Sequence, residues 1–192
     1  VALYRFATKG EVPAGFSPLL YQPFQGISNA LGSAKLYHGA FALPPRNYFS
    51  FGWPIILPGL SVSEFALSCR VLVNDTTGVS FWLAGDEISG CFTILYLGTT
   101  EDAALYRARP GNLEPNGPNT LAHANVRLTP GRWNTVTLQS TTAGFSAQID
   151  GRNVLTHAAL SGGNRIALGG MKYQFVVLDD LAIMAKIGSS FA

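Results

Sequence analysis

A chain of 192 residues is long enough for one well-buried domain and short for two. Only 12% of its residues are charged while 47% are hydrophobic, against roughly a quarter charged in ordinary soluble domains. That balance excludes a disordered chain, which needs a polar, charge-rich composition, and it leaves few charges to spread over a surface that a partner, another domain or attached glycan would then cover. The net charge is +2 and the densest basic stretch is Arg107-Ala108-Arg109, so neither nucleic acid nor an anionic membrane is expected as a partner. Nine Arg against four Lys suit fixed hydrogen-bonding roles better than a solvated cationic coat.

In chain order, the N-terminal part offers Leu3 to Phe6, Leu36 to Leu43 and Tyr48 to Phe51 as strands, interrupted by Pro44-Pro45 and by the stretch from Pro54 to Gly59. Glu64 to Val73 then alternates with period two. Asn74 to Gly78 forms a turn cluster, Val79 to Ala84 a second strand, and Cys91 to Leu97 a third. The short connections suggest an antiparallel meander of the three. Ala104 to Arg109 is the next strand, followed by a Pro/Gly/Asn-rich loop from Pro110 to Asn119 and a strand from Leu121 to Leu128. Past the turn Thr129-Pro130-Gly131, Trp133 to Ser140 alternates cleanly, and Trp133 is expected in the core. Gly144 to Ile149 pairs with it, and Asp150-Gly151 signals a tight hairpin into Asn153-Val154-Leu155. Ile166 to Leu168, Tyr173 to Leu178 and Leu181 to Ala185 complete the set, the last two readable as one continuous strand. Helical periodicity is almost absent, no boundary or repeat divides the chain, and the expectation is one all-β sandwich over 1–192.

No apolar run is long enough to span a bilayer as a helix, and a start at Val1 without Met fits a mature or excised product. Cys69 and Cys91 form no zinc set. They would pair across adjacent strands or stay as two buried thiols. Asn74-Asp75-Thr76 is a glycosylation sequon in a turn-like stretch, which points to secretion. His38, His123 and His157 lack metal-ligand spacing. There is no Gly-x-Ser-x-Gly elbow and no phosphate-cradling loop. Carboxylates that cut a glycosidic bond must flank it, and on a strand that requires a spacing of two. Asp86-Glu87, Glu101-Asp102 and Asp179-Asp180 are adjacent pairs whose members point to opposite faces. No catalytic residue is therefore expected in this chain alone.

Four motifs carry a resemblance. They are Gly131-Arg132-Trp133-Asn134-Thr135-Val136, then Gln148-Ile149-Asp150-Gly151, then Ile166-Ala167-Leu168-Gly169, then Phe175-Val176-Val177-Leu178-Asp179-Asp180-Leu181. In this order they resemble laminin G-like and concanavalin A-like domains. Together with Ser63 to Val73 and Leu83-Ala84-Gly85, they resemble the C-terminal lectin domain of the galactocerebrosidase (galactosylceramidase) family over residues 60–185. The resemblance implies a two-sheet antiparallel jelly roll in a secreted or lysosomal-luminal setting, binding glycans of galactoside type. It further implies a structural Ca2+ held by Asp179, with Glu11 as partner, although Asp180 stands where the family more often has Asn. Sugar rings are met by an aromatic face and a few directed donors. Trp82, Tyr96, Tyr106 and Arg107, on central strands, are the expected ligand residues, with Asn125 and Arg127 as further polar contacts. Three functions follow from this: a non-catalytic glycan-binding module, a structural domain packed on other domains or subunits of an extracellular assembly, and an accessory domain of a glycoside hydrolase.

Overall fold

The computed structural model describes residues 16–18, 35–37, 40–43, 55–62, 64–73, 78–86, 88–112, 115, 117–171 and 176–186. Among the described residues, the regular structure consists of a 3-10 turn at Gly117–Asn119 and fourteen strands. They are β1 (Phe16–Pro18), β2 (Lys35–Tyr37), β3 (Ala40–Leu43), β4 (Ile55–Ser61), β5 (Phe65–Leu72), β6 (Gly78–Asp86) and β7 (Cys91–Gly98), followed by β8 (Ala103–Ala108), β9 (Thr120–Ala124), β10 (Trp133–Thr141), β11 (Gly144–Ile149), β12 (Arg152–His157), β13 (Arg165–Met171) and β14 (Val176–Lys186). The larger sheet runs β12-β11-β10-β5-β14-β3-β2, with β1 also on β14. The smaller runs β4-β13-β6-β7-β8-β9. All pairings are antiparallel, and the fold is the two-sheet jelly-roll sandwich that the alternation implies.

Alternation fills the space between the sheets. Phe65, Leu67, Cys69 and Val71 of β5 and Val136 and Leu138 of β10 face Phe81 and Leu83 of β6, Leu95 and Leu97 of β7, and Leu105 of β8 in one buried cluster. Each such side chain removed from water contributes about 1.5–3 kcal/mol. In β14 the inward set changes phase, from Val176 and Leu178 to Leu181 and Ile183. A bulge between Asp179 and Ala182, with Asp180 at φ 50°, inserts the extra residue that makes the change possible. Val176–Lys186 is thus one continuous strand, as the sequence suggests.

Several expectations are corrected. β5, β6 and β7 are not a meander: β5 lies between β10 and β14 in the larger sheet, while β6 and β7 pair in the smaller. The chain changes sheets between Val73 and Gly78, because β5 finds both its neighbours in β10 and β14. Trp133 is not core. Val136, Leu138 and Ser140 set the inward phase of β10, which turns Asn134 inward and Trp133 out. There the indole carries the Arg70 guanidinium at 4.7 Å from its ring centre. The segment around Pro58 is strand β4 rather than an interruption, and it lies at a sheet edge, where proline's missing N–H is tolerated. The strand expected to reach Leu128 stops at Ala124, because the Val126 N–H turns back to the Ala124 carbonyl at 2.8 Å. The expected strand Leu36 to Leu43 is two short ones, β2 and β3. Leu3 to Phe6, Tyr48 to Phe51 and Tyr173 to Phe175 lie outside the described residues.

The Asp150-Gly151 hairpin forms as its composition dictates. Both residues have positive φ, 51° and 75°, as a two-residue turn of right twist requires. The Asp150 carboxylate accepts the Thr135 N–H at 2.8 Å and pairs with Arg132, tying the turn to the start of β10.

The two cysteines lie in different sheets, both as free thiols, Cys69 buried and Cys91 partly exposed. Burial pushes the Cys69 thiol far above its usual range. Ellman's reagent is therefore expected to titrate one thiol in the native protein and two after denaturation. Two fast-reacting native thiols would contradict this placement.

Candidate functional site

The expected ligand residues divide between the two faces of the smaller sheet. Tyr106 stands opposite Ile94, Ile94 opposite Trp82, and Trp82 opposite Ala167. With Phe92, Tyr96, Ala104 and Ala108 they form a cluster separate from the inter-sheet core, each residue no more than 5% exposed. The packing is specific. Trp82 and Phe92 meet edge to face at 5.4 Å, and the indole N–H of Trp82 donates to the Ser80 hydroxyl at 3.0 Å. A Cβ at Gly78 or Gly98 would come within 2.5 Å of Tyr96, so these two positions make room for its side chain. Trp82, Tyr96 and Tyr106 are thus brought together, but as a closed aromatic layer rather than an open platform for a sugar.

Arg107 goes the other way. On β8, Tyr106 and Ala108 belong to the aromatic layer, so alternation sends Arg107 and Arg109 to the opposite side. Two hollows at the end of the sheet share these arginines as a common wall. One, of about 390 Å3, is completed by Asn112, Pro118, Asn119 and Leu121. The other, of about 240 Å3, is bordered by Cys91, Phe92, Thr93 and the Ser161-Gly162 segment.

The loop between β12 and β13 holds Arg107 in place. Its Nη2 donates to the Ser161 carbonyl at 3.2 Å and to the Ser161 hydroxyl. The loop is itself fixed to β6, since the Gly163 N–H donates to the Ala84 carbonyl at 2.9 Å. That carbonyl sits where β6 bulges, with Ala84 at φ 48°. Asn112 and Asn119 meet through their amides at 3.5 Å, and Asn112 also pairs backbone to backbone with Arg109.

Among the described residues, the carboxylates serve turns and ion pairs rather than this cleft. Asp86 accepts the Ser89 hydroxyl at 2.7 Å and the Ile88 N–H at 3.0 Å. The Ser89 bond first, and the Ile88 N–H next, hold its carboxyl below the usual range. Its contribution to stability is complete above the ordinary aspartate pKa and is lost as pH falls through the lowered value. Asp102 binds Arg127 at 2.9 Å with His123 nearby, so Arg127 is committed to that pair. Asp180 lies 3.6 Å from Arg70 as an ion pair. The side chain of Asp179, and Glu11 and Asn74 altogether, lie outside what the structure describes. Among the described residues no three His, Cys, Asp or Glu gather as a metal site, and no helix is long and apolar enough to cross a membrane.

Sequence reasoning singled out Arg107 but missed Arg109, Asn112, Asn119 and Ser161. The pair Arg107-Ala108-Arg109 at a spacing of two carried a signal for Arg109. Nothing local marks Ser161, which reaches Arg107 only through the fold.

No family model matches the chain, and no curated protein matches it. Solved structures do. A carbohydrate-binding module, CBM66 from Bacillus subtilis, superposes with a TM-score of 0.54 at 11% identity, over 66% of this chain and 78% of that one. A Bacillus subtilis protein of unknown function with a galectin-like fold superposes at 0.60, with 10% identity, over 80% and 87% of the two chains. A variant of human galectin-16 superposes at 0.51, with 9% identity, over 69% and 96%. The chain therefore has the galectin-like sandwich fold shared by carbohydrate-binding modules; at these identities the likeness is one of fold.

Proposed function

We propose that this chain is a non-catalytic glycan-binding module whose site is the cleft walled by Arg107 and Arg109. One observation carries the proposal: on a fold used by carbohydrate-binding modules, the described surface offers a hollow of about 390 Å3 edged by arginine and asparagine side chains. Such a volume falls in the range of small-molecule sites, about 300–1,000 Å3. Guanidinium and amide groups supply the directed donors and acceptors that sugar hydroxyls need, with Leu121 and Phe92 as apolar wall. The narrower likeness to the galactocerebrosidase lectin domain, with its galactoside ligand, calcium ion and luminal setting, is supported by the sequence motifs alone.

A second reading is favoured by the closed aromatic layer. With Trp82, Tyr96 and Tyr106 buried, the described residues of this sheet face present no exposed stacking ring, as suits a structural domain packed on other domains. A glycan array probed with the full chain separates the two. The glycan-binding reading expects retention on a defined subset of glycans; a blank array with added calcium supports the structural one.

A further inference from the structure

Arg107 lies on β8 and Arg109 just past its end, two residues further on, a separation of about 6.8 Å for extended chain. Both line the two hollows. Arg107 spends its Nη2 on Ser161, so Nε and Nη1 keep three N–H donors without a partner among the described residues. Arg109 shows no side-chain partner there at all, only its backbone bridge to Asn112. No described carboxylate lines either hollow. Asp86, Asp102, Asp150 and Asp180 are engaged by Ser89, Arg127, Arg132 and Arg70 respectively. Among the described residues, two guanidiniums are thus presented to one cleft with no carboxylate set against them. One is anchored in advance by a loop, which lowers the entropy lost on binding. Guanidinium forks match the paired oxygens of planar or tetrahedral anions better than they match neutral hydroxyls.

We infer that the Arg107/Arg109 cleft selects acidic glycans, recognising a carboxylate or sulfate borne by the sugar. The inference rests on the glycan-binding function proposed above and names its ligand class. Binding weakens with salt, since one of the two arginines is exposed.

The test is isothermal titration calorimetry on the 192-residue chain. A tetragalacturonide provides the uronate arm, a heparin-derived tetrasaccharide the sulfate arm, galactotetraose the neutral control, and polyglutamate of matched charge the non-sugar control. At least one acidic oligosaccharide is expected to bind about tenfold or more tighter than galactotetraose, and Arg109→Gln to lose about that factor while Arg109→Lys recovers part of it. Arg109 is exposed, so the melting temperatures of both variants should match that of the parent, which separates lost contact from lost fold. Equal affinity for neutral and acidic tetrasaccharides overturns the inference and leaves glycan binding standing. Equal affinity for polyglutamate also overturns it, since charge alone then suffices. No binding to any saccharide overturns both.

Discussion

Replacing Gly163 by alanine is expected to lower the melting temperature more than any other single methyl group added to the β12–β13 loop. A Cβ there would lie 2.0 Å from the Gly85 carbonyl oxygen, 2.5 Å from its carbon and 2.9 Å from the Asp86 Cα. All three are backbone atoms, so no rotamer change relieves the contact. The loop must leave β6, breaking the hydrogen bond from Gly163 to Ala84, or the bulge must deform. Forced overpacking of this kind costs about 3 kcal/mol, which for a domain of this size is roughly 6–12 °C by circular dichroism. If the loop swings away, Ser161 releases Arg107, so any ligand of the cleft is weakened in the same variant. A melting temperature within about 1 °C of the parent's would contradict this packing.

Asn134→Leu is the second large effect expected. Asn134 is fully buried, and its side chain closes the turn before β10. Its Nδ2 donates to the Thr129 and Arg132 carbonyls at 2.9 Å each, and its Oδ1 accepts the Thr129 N–H at 2.9 Å. Leucine keeps the volume and loses all three bonds, a loss of about 2–3 kcal/mol. Asn134→Asp sharpens the test, because it retains the acceptor but turns a charged oxygen toward two carbonyls. It is expected to destabilise at least as much at neutral pH and less in acid, where the carboxyl protonates and can donate. Chemical denaturation at pH 7 and near the acid limit of stability measures both. An Asn134→Leu variant as stable as the parent would show that the turn holds without its side-chain clasp.

Asn134 also shows where the sequence was legible and where it was not. The period-two rhythm of Trp133 to Ser140 is plain, but its phase is ambiguous, because a tryptophan at one end competes with an asparagine beside it for the core. Val136 and Leu138 decide it, and Asn134 can follow them inward because its turn offers partners that only the folded backbone displays. Hairpins with their own chemistry, such as Asp150-Gly151, were readable from two residues. Which sheet a strand joins was not. Asn74 to Gly78 has the composition of a hairpin turn, yet β5 and β6 pair elsewhere, since pairing is settled by neighbours distant in the chain. The candidate site was half legible for the same reason. Alternation on β8 separates Arg107 from Tyr106 and joins it to Arg109. The Ser161 anchor depends on a contact 54 residues away. The burial of Trp82, Tyr96 and Tyr106 could not be told from an exposed aromatic stripe, because both have the same period on a strand.

The most direct measurement is a nitrogen-detected NMR titration of the arginine side chains with an acidic tetrasaccharide. The Nε–H signals of Arg107 and Arg109 are expected to shift together, in saturable fashion, while those of Arg70, paired with Asp180, and Arg132, paired with Asp150, stay in place. Shifts confined to other arginines, or none at saturating sugar, would show that this cleft is not where the chain meets its glycan.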